Sequence, residues 1–217
     1  MATAWIAGGA EGDASLSESN RLALALHDQG KYAEATMASR TVLTNQQRVL
    51  GPENTETLAT QNNIIETLLE QGQHAEAETG DLAVLPIMQR VLGPENTETL
   101  KCRSSRAVLL LVQAKYDEAE TEHRAVLAIR ERVLGPEHPD TLASHHNLAN
   151  ALQAQGNLFL AEVEYRSVIR VRKRVLGPEH RDTLRSRNCL AIAFWQQRKF
   201  MPAETELRAV LVIRERV

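Results

Sequence analysis

VLGPENTETL, from Val49 to Leu58, returns letter for letter from Val91 to Leu100. Two near copies follow, VLGPEHPDTL from Val133 to Leu142 and VLGPEHRDTL from Val175 to Leu184. The starts fall at 49, 91, 133 and 175, a constant step of 42 residues. A fixed period of this length marks a solenoid, in which one unit cannot bury its apolar face alone and stacks on its neighbours. Counting each unit from the leucine that closes the decapeptide gives 16–57, 58–99, 100–141, 142–183 and 184–217. Residues 1–15 stand before the array, expected as a disordered segment or a worn copy of the connector.

Within a unit the fourth copy is the easiest to read. Leu142, Leu148, Ala149 and Leu152 recur at helical spacing and define a first helix, A, running to about Gln155. Gly156 then supplies a left-handed stop, as Gly30 and Gly72 do in the first two units. Leu158, Ala161, Tyr165, Val168 and Ile169 mark a second helix, B, ending in Arg172-Lys173-Arg174, cations suited to a helix C-terminus. Gly177 closes that helix and Pro178 prevents its resumption. His138, Asn54 and Asn96 are placed to cap the next helix, with Pro139 at its first position in the third copy. The decapeptide is therefore a stop-and-start signal. In helix B, alanine recurs at 35, 77, 119, 161 and 203, and valine at 42, 84, 126, 168 and 210. A side chain that small at a fixed place implies close approach of helix A.

Leu148-Ala149 and Leu190-Ala191 in helix A, Gly30-Lys31-Tyr32 at the turn and the five helix B alanines resemble the tetratricopeptide repeat. The 42-residue period and the LGPEHPDT connector resemble its kinesin-light-chain variety. The resemblance covers about residues 16–217 and implies an all-α fold, a right-handed α-solenoid of five stacked antiparallel helix pairs. Five residues depart from the pattern. Arg106 stands where helix A of unit three should carry leucine, Gly80 and Pro86 are expected to interrupt helix B of unit two, and Ala114 and Arg198 replace turn glycines.

Composition excludes several functions. The net charge of −3 provides no field to gather nucleic acid or an anionic membrane. No apolar run approaches the ~20 residues of a membrane span, and Met1–Ser15 lacks a signal peptide's basic and apolar regions, so a cytoplasmic location is expected. No nucleophile elbow, zinc-binding HExxH or phosphate loop occurs, so neither catalysis nor a cofactor nor a metal is expected. His145 and His146 adjoin on one helix without facing each other and read as solvated. Cys102 and Cys189 read as inert reduced thiols.

Binding is the better reading. By resemblance to peptide-binding tetratricopeptide arrays, positions five, six and nine of each unit line a concave groove. They correspond to Asn20 and Arg21; Asn62, Asn63 and Glu66; Ser104 and Ser105; His146, Asn147 and Asn150; and Asn188. Asparagine gains nothing inside a helix, but its amide offers a donor and an acceptor to a passing backbone. The same amides could instead tie neighbouring repeats together. Lys101, Arg103, Arg106, Arg185 and Arg187 lie in the first turns of A helices, where the dipole disfavours cations. They require salt bridges within the array or an acidic partner. The expected function is a non-enzymatic scaffold that holds a peptide of a partner protein, acidic in part. The rival is end-to-end self-association through apolar helix faces such as Val210 to Ile213.

Overall fold

The computed structural model describes residues 19–216, and the expectations for residues 1–15 and for Leu16 lie outside them. Every element among the described residues is a helix. They are α1 (19–28), α2 (Tyr32–Val49), α3 (Thr55–Glu70), α4 (His74–Val91), α5 (Thr97–Val112), α6 (Tyr116–Leu134), α7 (Pro139–Ala154), α8 (Leu158–Val175), α9 (Arg181–Gln196) and α10 (Phe200–Arg214). Odd-numbered helices are the A helices and even-numbered ones the B helices.

The caps explain why the chain breaks where it does. Asn54 Oδ1 accepts from Glu56 N and Asn96 Oδ1 from Glu98 N, both at 2.9 Å. His138 Nδ1 and His180 Nδ1 do the same for Asp140 and Asp182 at 3.2 Å. At the turn from A to B, the amides of Lys31, Gln73, Lys115, Asn157 and Lys199 each reach back 2.9 Å to a carbonyl five residues earlier. That closure needs a left-handed residue just before the donor. Gly30, Gly72 and Gly156 supply it, and Ala114 and Arg198 adopt it at φ 59° and 61° despite their side chains. The turn thus survives the loss of its glycine.

The described residues divide into two compact units, one up to Leu109 and one from Leu110 onward. In the first, Leu58, Ile65, Leu68, Ala77, Val84 and Met88 form the core between α3 and α4, joined by Cys102 and Leu109 of α5. In the second, Leu148, Leu152, Ala161, Tyr165, Leu190 and Phe194 do so between α7, α8 and α9. In the first unit α3 packs on α2 and α4, in the second α6 to α10 pack in succession, and α7 also touches α9, A helix on A helix. All five helix B alanines and valines are buried.

Three expectations need correction. Helix α4 is continuous from His74 to Val91 with Pro86 inside it. Pro86 and Leu82, whose carbonyl loses its partner, are both exposed, so water meets the freed acceptor while Val84, Leu85 and Met88 hold the opposite face. The terminal arginines of helix B, expected to serve their own helix C-terminus, do not all do so. Arg172 is buried, its Nη1 donating to Ser186 Oγ at 2.6 Å and to the Asp182 carbonyl at 2.9 Å. Nor are the adjacent histidines of α7 solvated. His146 is buried and His145 lies between two carboxylates.

Candidate interaction face of the A helices

An A helix has one side against its own B helix, one against the preceding B helix, and one left open. On α9 the open side carries Arg185, Asn188, Ile192 and Trp195, spaced for a single stripe. Arg185, Ile192 and Trp195 are exposed and Asn188 is half-buried. On α7 the half-buried Asn147 and Asn150 lie one period before Cys189 and Ile192. Helices α7 and α9 are in contact.

The expected groove residues divide into two groups. Asn62, Ser105 and His146 are buried rather than displayed. Asn62 Nδ2 donates to Glu66 Oε1 at 3.4 Å along α3, and Ser105 Oγ donates to the Lys101 carbonyl. His146 Nδ1 lies 3.1 Å from Ser186 Oγ, which also accepts from Arg172, so this pair ties α7 to α9 and to α8. Burial drops the His146 pKa to about 3, with Arg172 and Arg185 adding repulsion, so the ring is neutral. Asn150 Oδ1 accepts from the Tyr165 hydroxyl at 2.6 Å, an A-to-B contact inside one repeat. Exposed or half-buried are Asn20, Arg21, Asn63, Glu66, Lys101, Ser104, Asn147, Arg185 and Asn188. Among the described residues no side-chain hydrogen bond fixes Asn147, Asn188 or Arg185.

The cations expected in the first turns lie further along, Lys101 fifth and Arg106 tenth in α5 and Arg187 seventh in α9, and the fold largely absorbs them. Lys101 Nζ bonds Glu98 Oε1 at 2.8 Å. Arg106 Nη1 reaches Asp81 Oδ2 at 3.4 Å, which is why an arginine can replace leucine there. Arg187 is buried and grips Glu206 with Nε and Nη2 at 2.6 and 3.3 Å. Asp81 also accepts from the Cys102 thiol, a partner the sequence did not reveal. Burial, with the Asp81 charge, pushes that thiol far above its usual range. Cys189 is likewise raised, chiefly by burial, so both thiols stay protonated. One signal for Arg187 was present in the sequence: Glu206 stands 19 residues later, as Glu164 stands 19 after His145.

The connector glutamates also have assigned partners. Arg90 pairs with Glu53, and Arg174 with Glu137 at 2.6 Å, each bond running 37 residues back to the LGPE of the preceding unit. The tetratricopeptide-repeat model matches residues 13–79, 102–158 and 141–216. The chain belongs to the tetratricopeptide-repeat family. Its repeats are of the kinesin-light-chain type. A Podosopora anserina putative kinesin light chain with nearly identical TPR-like repeats is 27% identical, covering 93% of this chain and 95% of that one at TM-score 0.67. BtubC (BKLC) from P. vanneervenii is 16% identical over 95% of this chain and 89% of its own, TM-score 0.68. A Rap protein complexed with competence and sporulation factor is 11% identical over 90% of this chain and 52% of its own, TM-score 0.78. These two likenesses show the fold alone. No curated protein matches the sequence. No helix among the described residues is long and apolar enough to cross a membrane, and no three His, Cys, Asp or Glu side chains gather to hold a metal.

Proposed function

We propose that this tetratricopeptide-repeat protein is a non-enzymatic scaffold that binds a segment of a partner protein along its A helices. The observation that carries the reading is the stripe on α9 beside Asn147 of α7. The α9 stripe carries an unpaired guanidinium, the uncommitted amide of Asn188 and the exposed Ile192 and Trp195, and α7, which contacts α9, adds the uncommitted amide of Asn147. Uncommitted amides can take the backbone of an extended peptide, each bond worth ~0.5–1.5 kcal/mol net. Ile192 and Trp195 offer apolar anchorage, and aromatic and arginine side chains are the usual hot spots of such surfaces. Arg185 favours a carboxylate in the segment, since Lys101, Arg106 and Arg187 are already matched by acids of the fold. Glu66, on the open side of α3, gives the other unit a different preference. Complexation of the Rap protein with its factor supports the idea that this fold can receive a ligand.

The test is a peptide library of graded charge probed with the whole chain and with the triple variant Asn147→Ala, Arg185→Ala, Asn188→Ala. Acid-bearing peptides should be preferred, and the variant should lose about tenfold or more in affinity. Its melting temperature should stay unchanged, because none of the three side chains is buried. Undiminished binding by the variant would remove this surface from consideration.

A further inference from the structure

The first two turns of the B helices isolate one surface. Ala33, Ala75, Asp117, Phe159 and Met201 share a register, and all five are exposed. So are Glu34, Glu76, Glu118, Leu160 and Pro202 in the next register, and Met37, Thr79, Thr121, Val163 and Thr205 three residues on. Solvent reaches these places in every repeat, so their exposure belongs to the repeat itself. Repeats two and three fill them with alanine, threonine and carboxylates, and repeat one has Met37 as its single large apolar side chain there. Repeat four instead sets out Phe159, Leu160 and Val163, with Phe159 71% exposed, and repeat five adds Met201 at 73%. An acid in the first turn is favoured by the helix dipole. Helices α2, α4 and α6 have one, whereas α8 and α10 do not. Leu160 therefore gives up a local stabilisation and leaves apolar surface in water.

The starts of α8 and α10 are held together. Gln197 Nε2 donates to the Leu158 carbonyl at 3.0 Å, and Lys199 Nζ to Glu162 Oε2 at 2.8 Å. Beside Phe159 and Leu160 lies an open cleft of about 450 Å³, lined also by Gly156, Asn157 and Gln197. Along α8 the stripe of Phe159 and Val163 continues through Arg166 to Arg170. Arg166 is taken by Glu162 at 2.9 Å. Arg170 and Arg198 are exposed, and among the described residues no side-chain bond fixes either. An apolar patch is thus followed by uncommitted positive charge.

We propose that this patch docks an amphipathic segment of a partner protein, whose apolar face meets Phe159, Leu160, Val163 and Met201 and whose carboxylates meet Arg170 and Arg198. Charge complementarity selects that occupant, since the free guanidinium of Arg170 continues the apolar stripe on the same side of α8. An anionic bilayer suits the surface less well. Asp117 and Glu118 expose carboxylates in the registers of Phe159 and Leu160 one repeat earlier, where such a bilayer would meet them. The patch lies on B helices and shares no residue with the A-helix stripe, so it is a second site.

The probe is a fluorescent helix-forming peptide with leucines along one face of its first half and glutamates in its second, set against a version with lysines for the glutamates. All measurements use the full chain carrying Asn147→Ala, Arg185→Ala and Asn188→Ala, so that the A-helix stripe contributes nothing. That chain should bind the acidic peptide about tenfold or more tighter than the basic one in dilute salt, and the margin should shrink as salt rises. Adding Phe159→Asp and Leu160→Glu, the residues of repeat three, should weaken binding of the acidic peptide about tenfold or more. Helical circular dichroism should be unchanged, because acids suit a first turn. Adding Arg170→Glu alone should abolish the preference for acid. Three results would each overturn the proposal: no binding of the acidic peptide, equal binding after the Phe159 and Leu160 changes, or a charge preference indifferent to Arg170→Glu. If the acidic peptide stays unbound while the chain associates with itself or with phosphatidylserine vesicles in a Phe159-dependent way, the patch belongs to a second copy or to a bilayer, and the partner segment is rejected.

Discussion

At the scale of single residues, helix register says which side of a helix a residue is on but not what lies against that side. Asn62 and Asn147 occupy adjacent places in helix A, yet one is buried and the other half-open. His145 and His146 diverge in the same way. His145 lies 3.1 Å from Glu164 and 3.2 Å from Glu131, and the bond to Glu164 leads in raising its pKa. His146 and His123 are depressed, to about 3 and about 4, mainly by burial. A depressed histidine is neutral when folded and takes up a proton on unfolding once the pH falls below its ordinary value near 6.5. Its contribution is intact above that value and lost on the way down to its folded value. His145 has the opposite sign, its contribution being present below 6.5 and lost as pH rises through its raised value. His145 acts only above pH 6.5, so below it the two depressed histidines predict that stability falls from pH 6.5 to 4, by at most about 1.4 kcal/mol per pH unit for each. His123→Leu, which installs the residue found in this register at Leu207, should flatten the slope measured by urea unfolding at a series of pH values. An unchanged slope would show that His123 binds its proton equally well folded and unfolded.

At the scale of helices and turns, the sequence was most legible. The recurring decapeptide announced the B-to-A connection, and its cap residues bond as their chemistry requires. Less legible was what happens where a signal residue is missing, because a single residue does not reveal how strongly its neighbours enforce a conformation. Ala114 and Arg198 are held at positive φ by the same closure that glycine makes elsewhere, and L-residues pay for that backbone. Ala114→Gly and Arg198→Gly should therefore each stabilise the chain, by about 0.5–1 kcal/mol, despite the larger chain entropy of the unfolded glycine. Neither native side chain is buried, so no packing loss offsets the gain. The check is the midpoint of urea unfolding for each variant. A lower midpoint would mean that the unfolded-state entropy of glycine exceeds the strain at that turn.

At the scale of the whole molecule, the chain is its own series of mutants, since each junction solves one packing problem with different residues. Gln46 faces a register containing Thr60, Met88 one containing Cys102, Arg130 one containing Ser144, and Arg172 one containing Ser186. Met88 and Cys102 share an apolar cluster, while Arg130 and Arg172 each donate to the opposing serine. The partners have changed together, from thioether with thiol to guanidinium with hydroxyl. This pairing was written in the sequence at a separation of 14 residues, but the basic run ending helix B looked like an ordinary helix terminus. A buried cation without acceptors is costly, whereas replacing a whole buried polar pair by an apolar one of similar volume is often neutral. Ser186→Cys alone should thus cost about 1–3 kcal/mol by removing an acceptor from Arg172. Arg172→Met combined with Ser186→Cys moves the solution of repeat two into repeat four and should recover most of that loss. His146 constrains the exchange, since Ser186 Oγ also lies 3.1 Å from its Nδ1 and a thiol is a poorer partner at that site. A double-mutant cycle on unfolding free energy decides the matter: a coupling near zero would mean that the two positions are independent and that the repeats merely resemble one another.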